Sequence, residues 1–186
     1  MNAEYEINLS QNIPSDGKEH LVEIQTYNLP ANYLYHSVPK LSPGAFLLAK
    51  IADYGKYNLL SGTANIFFEG MYVGQSYIDM NTTTDSLLVS LGKDEKISIK
   101  RIQLNDMTSK KFIGTNTKET KAYEIIARNN KKSSIQLEVL DQVPISRNKD
   151  IEVEIEEKSN AEYTEDYGKL KWKINIQSSE TKKLRL

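Results

Sequence analysis

Apolar and polar residues alternate with a period of two along much of the chain, the spacing of a strand with one buried and one wet face. Residues 5–9, 20–29 and 32–40 each read this way. The third ends at Val38-Pro39, because proline cannot donate to a ladder. Residues 45–54 are nearly continuously apolar through Ile51 and read as a buried strand. Further strands are predicted at 87–91, 97–102, 122–128, 135–140, 151–155 and 170–176. Turn signals separate them: Pro14-Ser15-Asp16-Gly17-Lys18, Ser42-Pro43-Gly44, Gly92-Lys93-Asp94-Glu95 and Asn129-Asn130-Lys131-Lys132. No stretch carries the apolar spacing of a long helix.

The strongest hairpin signal spans residues 63–78. Glu69-Gly70 is the two-residue tip, since glycine takes the positive φ of primed turns without steric cost. That tip sets Phe68 opposite Met71, Phe67 opposite Tyr72 and Ile66 opposite Val73. Large apolar groups fall on both faces, so the hairpin is expected at the centre of the fold, covered on both sides.

Strands at roughly 8–12-residue intervals with turns between them point to a β-sandwich. The predicted fold is all-β: an antiparallel β-sandwich in two immunoglobulin-like halves. Residues 105–121 are the least apolar stretch in the middle, rich in Lys, Thr, Ser and Asn. The halves are therefore drawn as residues 1–106 and 107–186.

Composition narrows the chemistry. A chain of 186 residues buries enough surface, roughly 70% of its unfolded area, to fold without a disulfide or metal. There are no cysteines, which removes thiol catalysis, cysteine-based zinc sites and disulfide frameworks together. With 24 basic and 25 acidic residues the net charge is -1. This balance offers no electrostatic case for nucleic acid or an anionic membrane surface. No apolar run approaches the roughly 20 residues of a membrane span. The first residues have neither the basic nor the apolar region of a signal peptide, so a mature form or a cut piece is expected. No cofactor is expected, because no glycine-rich phosphate loop is present.

Three constellations invite a chemical reading. Glu152, Glu154 and Glu156 alternate with Ile151, Val153 and Ile155, while Lys169, Lys171 and Lys173 alternate with Leu170, Trp172 and Ile174. One antiparallel register sets Glu152 against Lys173, Glu154 against Lys171 and Glu156 against Lys169. Such a glutamate row could bind a cation or serve as an acid/base pair, but the simpler reading is the wet face of a strand. The row also lacks the kinked loop by which calcium sites converge their oxygens. His20 and His36 could each join a Ser-His-Asp arrangement, yet no Gly-x-Ser-x-Gly elbow exists, and a structural or surface role is the expectation. Among the 11 tyrosines, Tyr33 with Tyr35 and Tyr54 with Tyr57 are the candidate ligand or partner surface, should their rings be exposed to stack on sugar.

Several motifs together resemble the C-terminal region of the mucoidy-inhibitor-like proteins, a bacterial family whose shared domain has no known function. They are Ile13-Pro14-Ser15-Asp16-Gly17-Lys18, Tyr35-His36-Ser37-Val38-Pro39-Lys40 and Asn58-Leu59-Leu60-Ser61-Gly62-Thr63-Ala64-Asn65-Ile66-Phe67-Phe68-Glu69-Gly70. Next come Tyr72-Val73-Gly74, Ser90-Leu91-Gly92, Lys110-Lys111-Phe112 and Arg128-Asn129-Asn130-Lys131. The last are Asp141-Gln142-Val143-Pro144-Ile145-Ser146 and Gly168-Lys169-Leu170-Lys171-Trp172. The resemblance implies a β-rich domain that normally follows a smaller N-terminal domain and a helical segment. It also implies one further strand after Lys183-Leu184-Arg185-Leu186, so a bare sheet edge open to homo-oligomerisation is expected here. Family members are thought to be exported to the cell envelope, and no catalytic residues carry over.

The functional expectation is a non-enzymatic interaction or structural module of a bacterial cell-envelope protein, with a protein or glycan partner. A carbohydrate-binding module is the second reading and a hydrolase the third.

Overall fold

The alternation becomes strands almost wherever a neighbour exists to receive them. The computed structural model describes residue 7 and residues 12–80, 86–114 and 116–186. In chain order the strands are β1 (Ala31–Ser37), β2 (Phe46–Ala52), β3 (Gly62–Phe68), β4 (Met71–Ile78), β5 (Ser86–Lys93) and β6 (Ile97–Gln103). They continue as β7 (Ser109–Ile113), β8 (Asn116–Thr120), β9 (Tyr123–Asn129), β10 (Ile135–Gln142), β11 (Glu162–Thr164), β12 (Lys169–Ile176) and β13 (Thr181–Arg185). Among the described residues the only helical turns are short 3-10 segments at Tyr54–Tyr57, Asn105–Met107 and Glu165–Tyr167. No helix among them is long and apolar enough to cross a membrane.

A six-stranded sheet runs β11-β12-β10-β1-β2-β5 and a three-stranded sheet runs β13-β9-β6. β3 pairs with β4, and β7 with β8, as separate two-stranded ribbons. Among the described residues the ladders are antiparallel with one exception, which corrects the all-antiparallel expectation. β1 lies parallel to β10, with Tyr35 beside Leu137 and Ser37 beside Val139.

Both larger sheets send side chains into one buried apolar cluster. Leu47, Leu137, Val139, Leu170, Trp172 and Ile176 come from the first, and Ile97, Ile99, Ile125, Ala127 and Leu184 from the second. Each large aliphatic side chain so buried contributes about 1.5–3 kcal/mol relative to exposure. The position 106/107 falls inside the Asn105–Met107 turn. Strands on its two sides pair as β1 with β10 and as β6 with β9, and share that cluster.

Buried polar groups near the cluster are satisfied. The Trp172 indole N–H donates to the Lys158 carbonyl at 2.9 Å. The Arg101 Nε donates to the buried Asp141 carboxylate at 2.7 Å, and its guanidinium lies 3.7 Å from the centre of the Tyr123 ring. Gly168 (φ 61°) allows the β12 entry to press on the chain after β10, where an added Cβ would meet the Val143 carbonyl oxygen at 2.3 Å.

Two expected strands are absent. Residues 20–29 form no ladder, and Leu21 and Ile24 are exposed. The expected strand at 5–9 lies outside the described residues, apart from Ile7. Residues 151–155 are likewise irregular, with Ile151 and Val153 exposed. The glutamate–lysine register proposed for them fails because β12 has a neighbour on each side, β10 and β11. Trp172 therefore sits opposite Val139, and Lys173 opposite Glu138. The lysines find other acids: Lys173 lies 3.2 Å from Glu162, and Lys171 lies 3.5 Å from Glu162 and 3.9 Å from Glu138. Glu156 meets Lys118 at 3.1 Å.

The 63–78 hairpin forms with the expected tip. Glu69 and Gly70 both have positive φ (49° and 78°), and Phe68 faces Met71 and Phe67 faces Tyr72. A bulge at Val73 then shifts the register, so Ile66 faces Gly74 rather than Val73. The expectation of a central, doubly covered hairpin is wrong. Among the described residues β3 and β4 bond only to each other, and one face is open. The other face is half-buried, with Phe68 packed against the core and Val73 lying over Gly92 of β5.

Candidate functional site

β1 and β10 are paired only from Tyr35 and Leu137 onward. Ahead of that pairing a cleft of about 540 Å³ opens, lined by Tyr33, Tyr35, Lys131, Ser134, Gln136 and Asn175 among others. The turn between β9 and β10 forms its wall, and buried Asn129 holds that turn. Its side-chain amide donates to the carbonyls of Ser133 (2.8 Å), Ile176 (3.2 Å) and Gln177 (3.0 Å), while its oxygen accepts the Lys131 backbone N–H at 2.9 Å.

So held, Lys131 reaches inward. Its ammonium donates to Asp94 Oδ2 at 2.6 Å and to the Tyr35 hydroxyl oxygen at 2.7 Å, and the Tyr35 O–H donates to Asp94 Oδ2 at 2.8 Å. Burial works against both charges, but pairing outweighs it. Burial alone would raise the Asp94 pKa, yet hydrogen bonds from Lys131, Tyr35 and the Lys96 backbone N–H bring it below the ordinary value. Burial alone would lower the Lys131 pKa, yet Asp94 and Tyr35 bring it above. Burial raises the Tyr35 phenol, against the opposing Lys131 contact. At neutral pH the trio is one cation, one anion and one neutral hydroxyl, with no net charge.

Of the four candidate tyrosines, the cleft unites two. Tyr33 is 60% exposed, whereas Tyr35 is 7% exposed and belongs to the trio. Tyr54 is buried in its 3-10 turn, and Tyr57 packs edge-on against Tyr27 with ring centres 5.3 Å apart. Neither lines the cleft, and the four do not form a row of open rings. Sequence reasoning missed Asp94, Asn129 and Lys131 as site residues. All three lay in segments read as polar turns, and only the Arg128-Asn129-Asn130-Lys131 motif hinted at more.

A second surface is the open face of the β3–β4 hairpin. Phe67 (64% exposed) and Tyr72 (57%) stack at a tilt, 5.4 Å between centres, with exposed Met71 beside the tip. Behind them the Gln75 amide donates to the Asn65 side-chain oxygen at 2.9 Å, and Tyr77 lies exposed opposite Thr63. No charged side chain interrupts this face between Thr63 and Phe67 or between Tyr72 and Tyr77.

The histidines lie elsewhere. His20 Nε2 is 2.8 Å from Asp16 Oδ1 in an exposed turn, and His36 Nδ1 is 3.4 Å from Glu138 Oε1. The hydroxyl next to His36, on Ser37, is buried and donates to the Gly44 carbonyl at 2.7 Å. Alternation along β1 turns it to the opposite face of the sheet from the imidazole. Among the described residues no group of three or more His, Asp or Glu side chains could hold a metal ion.

No solved structure matches the chain. It is similar to a protein of Caenorhabditis elegans, Protein F37C4.5, with 27% identity over 158 residues. That alignment takes in 82% of the chain but only 28% of the worm protein's length. The match to a known family covers residues 1–186, and the chain belongs to the family described as "Domain of unknown function (DUF4139)".

Proposed function

We propose that this domain is a non-enzymatic protein-interaction module of a bacterial cell-envelope protein, built as a β-sandwich with immunoglobulin-like halves. Its contact surface is the open face of the β3–β4 hairpin. The observation that carries the reading is the exposure of Phe67, Tyr72 and Tyr77 on a ribbon face without charged side chains, with exposed Met71 beside the tip. Exposed apolar patches of this kind mark contact sites, and aromatic and methionine side chains are enriched at interface cores. The sandwich description is supported by two sheets feeding one apolar cluster. The envelope location and the mucoidy-inhibitor-like grouping are supported by the motif resemblance.

The test is site-specific photo-crosslinking in the full-length protein. A photoreactive phenylalanine analogue replaces Tyr72, and a control chain carries it in place of Lys111. The expected result is a discrete protein adduct at the Tyr72 position that disappears when Phe67→Ser is added. An adduct pattern no different from the Lys111 control overturns the reading.

A further inference from the structure

We propose that the Tyr33 cleft is a binding site for a neutral saccharide of one or two rings, seated against the Tyr33 ring. The cleft is independent of the hairpin face and lies at the opposite flank of β2 from the strand, β5, that meets the hairpin.

Three observations converge on that class of ligand. The first is charge. Lys131 and Asp94 are 2.6 Å apart and neutralise each other, so an anionic ligand would have to displace a carboxylate already seated on the ammonium. The second is the single open apolar surface. Leu47 and Ile135 line the cleft but are buried, which leaves the Tyr33 ring as the exposed apolar face. A flat ring with one C–H face suits one aromatic platform better than a peptide side chain, which needs a deeper apolar pocket.

The third is hydrogen-bonding capacity. Among the described residues, the side chains of Ser134 and Gln177, which line the cleft outside the strand ladders, make no hydrogen bond within the protein. The amide offers a donor and an acceptor together, and the serine a hydroxyl that can act as either. Sugar hydroxyls are also donor and acceptor at once, so each can pair with both ends of an amide. The Lys131 ammonium has three N–H groups and uses two of them on Asp94 and Tyr35, which leaves a third for a sugar oxygen. At about 540 Å³ the cleft lies within the range of roughly 300–1,000 Å³ typical of small-molecule sites.

The experiment presents the whole chain to an array of neutral oligosaccharides (glucose, galactose, mannose and N-acetylglucosamine series) and acidic ones (uronate- and sialate-bearing). Any hit is then titrated calorimetrically against wild type, Tyr33→Ala, Gln177→Ala and Tyr72→Ala, after equal unfolding midpoints are verified. The expected result is a neutral series bound by wild type and weakened by roughly tenfold or more in Tyr33→Ala, the scale of one lost ring contact. Gln177→Ala weakens it severalfold and Tyr72→Ala leaves it unchanged. An array without a neutral hit, binding confined to acidic sugars, binding that survives Tyr33→Ala, or binding lost through Tyr72→Ala each overturns the proposal. The hairpin reading is untouched by those outcomes, since its own test reads a protein adduct.

Discussion

Lys131 shows how a single side chain can be legible as a residue and illegible as a role. It stands in a run of polar turn residues, and its meaning comes from Asp94 and Tyr35, which are distant in sequence and brought to it by the fold. Losing one partner of such a group costs more than the pair contributes, because the other charge is left poorly solvated. Asp94→Asn is therefore expected to destabilise the protein by about 1.5–3 kcal/mol at pH 7, the range for hydrogen bonds to charged groups. The Asp94 pKa is lowered from 3.8, so its contribution is complete above that value and is lost as pH falls through the lower folded one. The Lys131 and Tyr35 values are raised from 10.5 and 10.0, so their contributions are complete below about pH 10 and are lost as pH rises through the raised values. Urea unfolding across pH should show a wild-type-minus-variant difference that is level through the neutral range and shrinks below 3.8. A difference that grows on acidification would contradict the pairing.

At the scale of the element, the hairpin divides into an anchored face and a free one. Phe68 packs against the core while Phe67, its neighbour, points outward. Phe68→Ala is expected to cost on the order of 2 kcal/mol, below the roughly 3–5 of a fully enclosed phenylalanine. Phe67→Ser with Tyr72→Ser should change stability by no more than about 0.5 kcal/mol. Chemical denaturation of the two variants separates the faces, and equal losses would mean that the open face is covered. The tip and the first two cross-strand pairs of this ribbon were legible, because Glu69-Gly70 can close only a tight turn and side-chain parity follows from it. Its position was not. Apolar groups on both faces read alike whether a second sheet or an absent partner covers them. The same blindness explains residues 20–29 and 151–155. Alternation specifies two faces but says nothing about whether a strand edge is free to take them, and at β12 both edges were already taken. Tyr33 was legible as a candidate from its place beside Tyr35. Gln177 and the Lys131–Asp94 pair around it were not, since they meet only through tertiary contact.

For the whole molecule the decisive feature is that strands far apart in sequence share ladders. β1 and β2 complete the six-stranded sheet with β10 and β12, and β6 completes the three-stranded sheet with β9 and β13. Chains covering 1–106 or 107–186 alone would each expose faces that the other half buries. Neither is expected to show a cooperative thermal transition by circular dichroism, while the two mixed together regain one. A sharp independent melt of either fragment would contradict the shared core.

The parallel contact between β1 and β10 also sets a timetable for biosynthesis. Tyr35 must wait for Leu137, about a hundred residues later, to leave the ribosome. At roughly 5–20 residues per second that interval is about 5–20 s. Throughout it the nascent chain carries an uncompleted strand margin, a natural target for a holdase or for a neighbouring polypeptide on the same message.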